Sequence, residues 1–263
     1  MSEGMVEAAA GGHGGALDFS EILAHHLTDH QLFSLGGGFG VSKHGLMILI
    51  AAGLAAMVVL LAARTKGRLR TAVEAFVLFI RKDIAEPALG EDTDYCLPYL
   101  LTLFVFILMM NLLGLIPSGA TPTGNISVTA TLSLLTFVLI HAAGVFRHGL
   151  LKHLKNFVPH GVPWVVWPLV WCIEAMGFLT KSIALCIRLF ANMTAGHMVI
   201  LLFLGLILLA GQTHVAAGAV VAPIAVGLAV GLYALELIVA LIQAYVFTML
   251  TAIFVGGALH PEH

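Results

Sequence analysis

Charged residues are scarce in this chain of 263 residues, which has twelve Lys and Arg, fourteen Asp and Glu, and 60% hydrophobic residues. Between residues 156 and 261 only four charged residues occur, at Glu174, Lys181, Arg188 and Glu236. A soluble domain with such a segment would expose a continuous apolar surface, so the composition excludes a soluble protein. We therefore predict an integral membrane protein.

Cysteine and net charge are also low, and nucleotide-binding motifs are missing. The three cysteines, Cys96, Cys172 and Cys186, lie in or beside apolar runs without metal-ligand spacing, which argues against a disulfide framework or a zinc site. A formal net charge of −2 provides no basic surface, so we predict no nucleic-acid partner. Without a glycine-rich phosphate loop before a helix, we predict no cofactor and no nucleotide-hydrolysing site.

Three apolar segments have the length of one membrane span. A transmembrane helix needs about 20 apolar residues, and residues 44–63, 97–116 and 126–146 meet this requirement. Residues 1–43 precede them and are too long and too acidic for a signal-peptide start, so they are predicted to be an extramembrane N-terminal tail. Residues 44–263 are predicted to form one polytopic membrane domain.

Two longer apolar blocks follow, at residues 164–210 and 220–257. Neither contains a convincing break, and a helix of this length at 1.5 Å per residue exceeds the bilayer thickness. We predict that both form long, tilted helices, antiparallel to each other and joined through the glycine-rich residues 211–219. The predicted fold class is thus all-α, with about five membrane helices.

Basic residues in the loops predict the orientation. The loop "RTKGRLR", together with Arg81 and Lys82, holds six of them, the loop "PSGATPTGN" holds none, and "RHGLLKHLKN" holds three. By the positive-inside rule the N-terminus is then outside and the C-terminus inside. The segment from Thr71 to Glu86 is apolar on one face and charged on the other, so we predict an amphipathic helix on the inner surface.

The four charges in the last hundred residues are the candidate functional groups, because a charge inside a membrane costs about 2.5–3.5 kcal/mol or more. Glu174, Lys181 and Arg188 are seven residues apart and form one stripe on a helix, which Asn192 joins one turn after Arg188. A guanidinium cannot be neutralised by losing a proton, so Arg188 must remain a cation.

Two pairs of polar residues face each other if the two long helices are antiparallel. Residue numbering then places Arg188 level with Gln243, and His197 level with Glu236 about 10–14 Å nearer the outside. The outer layer can titrate, whereas the inner layer is a permanent cation beside an amide. This arrangement is typical of a proton path that ends at an electrostatic barrier.

Three strings of residues resemble subunit a of F-type ATP synthases: "FVFILMMNLLGLIP", "KSIALCIRLFANMTAGHMVI" and "YALELIVALIQAYVFTMLTAIFV". The resemblance extends from about residue 40 to 257. It implies a stationary proton-translocating subunit with two offset half-channels against a ring of c subunits, not an enzyme on its own. It also implies b-type peripheral stalk subunits, the remaining synthase subunits and the lipid bilayer as partners, in an energy-coupling membrane such as the bacterial inner (plasma) membrane.

The resemblance also implies roles for individual residues. Arg188 matches the essential arginine that faces the ring carboxylate and acts as the barrier. The proton path would comprise His197, Glu236, Asn192, Gln243 and Glu174. Lys181 and Asn111 would support it.

Alternative interpretations remain for several of these residues. The pair of His197 and Glu236 can also be a structural hydrogen bond between helices, Glu174 can serve either the inner exit or the packing, and Asn111 can either bond within the bundle or line a channel. A secondary cation or proton transporter is the alternative function, although it predicts inverted repeats that the halves of the chain lack. His26 and His30 have a spacing that could bind a metal, but thirteen histidines make such pairs common by chance.

Overall fold

The computed structural model describes residues 31–34, 40–64, 67–116, 122–155 and 163–260. Most of the predicted N-terminal tail, including His26 and His30, lies outside the described residues. In chain order the helices are α1 Lys43–Arg64, α2 Arg68–Phe79, α3 Glu86–Leu89, α4 Thr93–Gly114, α5 Ile126–His148, α6 Leu150–Lys155, α7 Trp167–Thr213 and α8 Val215–Leu259.

Five helical stretches are long and apolar enough to cross a membrane within the described ranges. They are Lys43–Leu61, Arg70–Gly114, Ile126–His148, Trp164–Gln212 and Gly218–Leu259. The prediction of an all-α membrane protein with about five membrane helices is therefore confirmed. The described part of the tail adds two short antiparallel strands, β1 Gln31–Ser34 and β2 Gly40–Ser42.

The segment predicted to be an amphipathic surface helix is helical but interrupted. Helix α2 runs into a π-helical turn, Ile80–Ala85, and then into α3. Gly90 has a φ of 55°, in the left-handed region that glycine adopts without strain, and turns the chain into α4. The location of this segment on the inner surface stays a prediction.

Helix α5 has a clear signal at each end. The Asn125 side chain accepts a hydrogen bond of 2.9 Å from the backbone N–H of Ser127, which caps the start of the helix. Gly149, at a φ of 80°, ends it. The chain then forms the short helix α6 before it enters the long hairpin of α7 and α8.

The core lies where α4, α5 and α7 pack against the second half of α8. Ile107 and Met110 of α4, Leu189 of α7, and Ala244 and Phe247 of α8 are fully buried there. Because lipid is as apolar as these side chains, close packing rather than release from water holds such helices together. Small residues on α8 allow this close approach.

Candidate functional site

The turn between α7 and α8 is a single residue. His214 has an extended backbone, with φ −153° and ψ 134°, and the helices continue on both sides of it. The sequence predicts a polar gap between the two helices over residues 211–219. In the structure this gap is shortened to one non-helical residue, His214. Helix continues because backbone groups in an apolar region must bond to one another. Gly211 and Gly218 allow the close approach, since a Cβ on Gly218 would lie 2.9 Å from the Gly211 Cα.

Arg188 lies on the exposed face of α7. Leu185 and Leu189 beside it are buried, whereas Arg188, Ile187 and Ala191 are exposed. Within the described part of the chain, Arg188 makes no ion pair or hydrogen bond. The fixed cation therefore lies on an apolar surface without a partner among the described residues.

Gln243 pairs with Asn192 rather than directly with Arg188. The Asn192 Nδ2 donates a hydrogen bond of 3.0 Å to the Gln243 Oε1. Gln243 is 3% exposed, and its Nε2 has no partner among the described residues. Residue numbering placed Gln243 level with Arg188, and Asn192 lies one turn after Arg188 on the same stripe of α7.

His197 and Glu236 contact each other across the hairpin. The His197 Nδ1 lies 3.2 Å from the Glu236 Oε1, with His197 30% and Glu236 5% exposed at the side chain. The second carboxylate oxygen, Oε2, is buried and has no hydrogen-bond partner in the described part of the structure. Gly196 makes room for the carboxylate, because a Cβ there would lie 2.7 Å from the Glu236 Oε1.

A third helix brings Asn111 to the same place. Asn111 on α4 is fully buried, and its Nδ2 donates a hydrogen bond of 3.3 Å to the Ala240 carbonyl oxygen. Ala240 lies between Glu236 and Gln243, about one helical turn from each. We call Asn111, Asn192, His197, Glu236 and Gln243 the polar cluster.

Several buried polar atoms near the cluster have unused bonding capacity among the described residues. They are the Asn111 Oδ1, the Gln243 Nε2, the Glu236 Oε2 and the Oγ1 of Thr194, a residue that the sequence analysis missed. An isolated threonine in an apolar run carries no signal, because its hydroxyl commonly bonds to its own helix. Unpaired buried polar atoms are sites where water is accommodated.

Glu174 and Lys181 lie apart from the polar cluster. The Lys181 Nζ lies 5.0 Å from the ring centre of Phe178 and 5.2 Å from that of Phe254, so two aromatic faces stabilise this cation. Glu174 is half-buried and makes no ion pair within the described ranges. Both precede Arg188 on α7, whereas His197 follows it.

The arrangement combines three chemical capacities along one hairpin. A carboxylate and an imidazole are both groups that can bind and release a proton. Amides beside them can hydrogen-bond water in either direction. The guanidinium on the exposed face of α7 stays positive. It can attract an anionic group on another chain and repel a free proton.

The chain is similar in sequence to a family of known proteins. Residues 45–256 match the ATP synthase A chain family. The chain is 39% identical to ATP synthase subunit a 2 of Prosthecochloris aestuarii, over 97% of this chain and 84% of that protein. It is 38% identical to ATP synthase subunit a of Chloroherpeton thalassium, over 95% and 75%.

A relative from another bacterial group is equally similar. The chain is 39% identical to ATP synthase subunit a of Anaeromyxobacter dehalogenans, over 95% of this chain and 74% of that protein. The match to the family covers all five membrane-capable helical stretches almost completely. The chain therefore belongs to the ATP synthase A chain family, as a proton-channel subunit of the synthase complex rather than a catalytic one.

Proposed function

We propose that this chain is the stationary subunit that guides protons through two offset half-channels to and from a ring of c subunits, with Arg188 as the barrier between them. The observation that carries the proposal is the contrast along α7. Arg188 is exposed and unpaired within the described residues. His197, nine residues further along α7, is 30% exposed and contacts Glu236 of α8, which is 5% exposed.

The polar cluster forms the access half-channel. A proton from outside binds at Glu236 and His197, and water held by Asn111, Asn192 and Gln243 passes it towards the face of the hairpin. His197 and Glu236 lie within hydrogen-bond distance, at 3.2 Å, so a proton can pass from one side chain to the other. From there the proton neutralises a carboxylate on the ring.

Arg188 separates this path from the second half-channel. Its permanent positive charge repels a proton that would cross directly, and it attracts the ring carboxylate once that group has lost its proton. A ring subunit that carries a neutral carboxyl group can rotate through lipid, because the neutral form avoids most of the cost of a buried charge. Each charge that moves through 100 mV supplies about 2.3 kcal/mol.

Glu174 and Lys181 belong to the inner half-channel in this proposal. Glu174 lies fourteen residues before Arg188, which is about 21 Å along α7 and near the inner end of the hairpin. The positive charge of Lys181, held over two rings, favours release of a proton from a nearby carboxyl group. Proton exit is thereby directed to the inner side.

The assembly and orientation complete the proposal. The exposed faces of α7 and α8 contact the c-ring, b-type stalk subunits bind elsewhere on the membrane domain, and the chain lies in a bacterial plasma membrane. The N-terminus is outside and the C-terminus inside, as the loop charges predict. The tilt of the two long helices lets helices of more than 40 residues fit within one bilayer.

Replacement of Arg188 tests the proposal. In vesicles that contain the whole synthase, Arg188→Ala should abolish ATP-driven proton pumping, and Arg188→Lys should also fail, because lysine loses its proton in an apolar site. Arg64→Ala, at the exposed end of α1, is the matched control and should pump normally. Coupled pumping by Arg188→Ala would contradict the barrier role.

Purification distinguishes the alternative function. A secondary transporter would carry ions as an isolated chain, whereas the proposed subunit needs the ring. Vesicles containing only this chain should therefore show no ion flux coupled to a gradient, and the chain should purify together with c and stalk subunits. Gradient-coupled uptake by the chain alone would favour the transporter.

A further inference from the structure

A separate cavity of about 460 Å³ lies between the start of α4, the end of α5 and the last turn of α8. It shares no residue with the polar cluster. Its position at the ends of two membrane-capable helices places it where the hydrocarbon meets the polar headgroups. A volume of this size is in the range of small-molecule binding sites.

The walls and the mouth of the cavity differ in chemistry. Leu100, Leu139, Ala143 and Val255 form an apolar interior, and Arg147 lies at the lip. Two aromatic side chains beside it, Tyr95 and Phe146, are 89% and 91% exposed. Aromatic rings in this position are typical of the membrane boundary.

Arg147 has bonding capacity for an anion. Its Nη1 lies 3.5 Å from the Asp92 Oδ1, which is a long contact, and its side chain is 51% exposed. Asp92 has a second partner, since the His260 Nε2 lies 2.9 Å from its Oδ2. The guanidinium therefore keeps N–H groups that can donate to phosphate oxygens.

From this geometry we propose that the cavity binds one anionic phospholipid, with an acyl chain between α4 and α5 and its phosphate on Arg147. The apolar interior fits a hydrocarbon chain. Asp92 also lines the cavity and pairs with one nitrogen of Arg147, and the other N–H groups of the guanidinium can donate to a phosphate. Basic side chains between membrane helices contribute to the binding of lipid headgroups. The site is independent of the proton path, so its failure would leave the proposed function intact.

A photoactivatable phosphatidylglycerol with a diazirine on its acyl chain tests the site. The whole synthase is placed in phosphatidylcholine vesicles containing the probe, and the labelled peptides are identified by mass spectrometry. Label should appear on the walls of the cavity in α4 and α5. Unlabelled phosphatidylglycerol should compete about fivefold better than phosphatidylcholine, as one basic contact predicts.

Two variants separate the tail and headgroup contributions. Ala143→Phe fills the interior and should remove the label, whereas Arg147→Gln should keep the label and lose the preference for phosphatidylglycerol. Ala130→Phe, exposed elsewhere on α5, and Arg64→Gln are the matched controls and should behave as the wild type. If Ala143→Phe does not assemble, Ala142→Leu, on another part of the wall, replaces it.

Two results would overturn the proposal. The first is equal labelling of the cavity walls in the wild type and in the filled variant, which would mean that the probe contacts only the outer surface. The second is equal competition by the two lipids in the wild type, which would mean a non-specific or zwitterionic occupant.

Discussion

The two halves of helix α8 are similarly apolar in sequence and very different in their surroundings. In residues 215–239 the large side chains are mostly exposed, among them Ile224, Leu228 and Leu235. In residues 240–259 the helix is packed into the core, with Phe247 and Thr251 fully buried. Apolar sequence alone therefore does not distinguish a surface for lipid or a partner from a surface for the protein interior.

The difference extends to the polar groups. In the exposed half the buried charged residue is Glu236, held against α7 beside His197. In the packed half, the buried hydroxyls of Thr248 and Thr251 bond to carbonyl oxygens of their own helix, at 2.9 Å and 2.8 Å. Glu236 thus meets a side chain of α7, whereas Thr248 and Thr251 bond within their own helix.

Glu236→Gln should produce the largest change and should break the functional side of this contrast. The amide keeps the shape and can still bond to His197, but it cannot carry a proton, so ATP-driven pumping in vesicles should fall about a hundredfold. Thermal stability should change much less than pumping, because the variant is nearly isosteric and can keep the bond to His197. Glu236→Asp, which keeps the titratable group, is the control and should retain part of the activity. Normal pumping by the glutamine variant would exclude a proton-carrying role.

Gly256→Ala tests the packed half. A Cβ at this position would lie 1.9 Å from the Ala88 carbonyl oxygen, and a backbone atom cannot move aside easily. We expect a loss of about 1–3 kcal/mol of stability, measured as a lower thermal midpoint of the purified complex. Gly257→Ala is the matched control, because nothing lies within 4 Å of its Cβ. Equal stability of the two variants would contradict the close packing of α8 against α3.

Gly196→Ala makes the corresponding change beside the exposed half. Its Cβ would meet the end of the flexible Glu236 side chain at 2.7 Å, so the carboxylate can move at a cost of about 1 kcal/mol. Pumping should fall about fivefold, with little change in thermal stability. Gly177→Ala, on the same helix with nothing within 4 Å, should be neutral. If Gly196→Ala lowered the stability and left pumping unchanged, the contact of Gly196 with Glu236 would serve packing rather than pumping.

Acid should loosen the contact between α6 and α5, which lies beside the end of the packed half of α8. Burial lowers the pKa of His153 from its ordinary 6.5, and charge on His141 and His148 lowers it further. A base with a lowered pKa in the folded state takes up a proton on unfolding. The contribution of neutral His153 to the free energy of unfolding is therefore complete above pH 6.5 and decreases as the pH falls below it. The protection of the amides in Leu150–Lys155, measured as their exchange rate relative to the intrinsic rate at the same pH, should therefore decrease in acid.

His153→Gln supplies the control for this smallest effect. The glutamine can still bond to His141, whose Nδ1 lies 3.2 Å from the His153 Nε2, but it does not titrate. The protection of the α6 amides, relative to the intrinsic exchange rate, should depend less on pH in the variant than in the wild type. An equal loss of protection in both proteins would assign the pH dependence to another group.

The sequence predicted the parts of the site that depend on local order. Helical periodicity places Glu174, Lys181 and Arg188 on one stripe, and residue numbering brings His197 to the level of Glu236. The side chains of His197 and Glu236 contact each other in the structure. Numbering did not predict the bond between Asn192 and Gln243, since it gives the level of a residue along the helices but not which side chains meet there.

Hydropathy and helical periodicity thus determined five membrane-capable helices and a charged stripe from the sequence by itself, because these properties depend on residues close together in the chain. The tertiary structure decided the rest: the one-residue turn at His214, the approach of Asn111 to Ala240, and which half of α8 is buried. These features depend on how helices cross and which atoms meet between residues more than a hundred positions apart, as in the contact between Asn111 and Ala240. Apolar sequences that look alike are separated only by that packing.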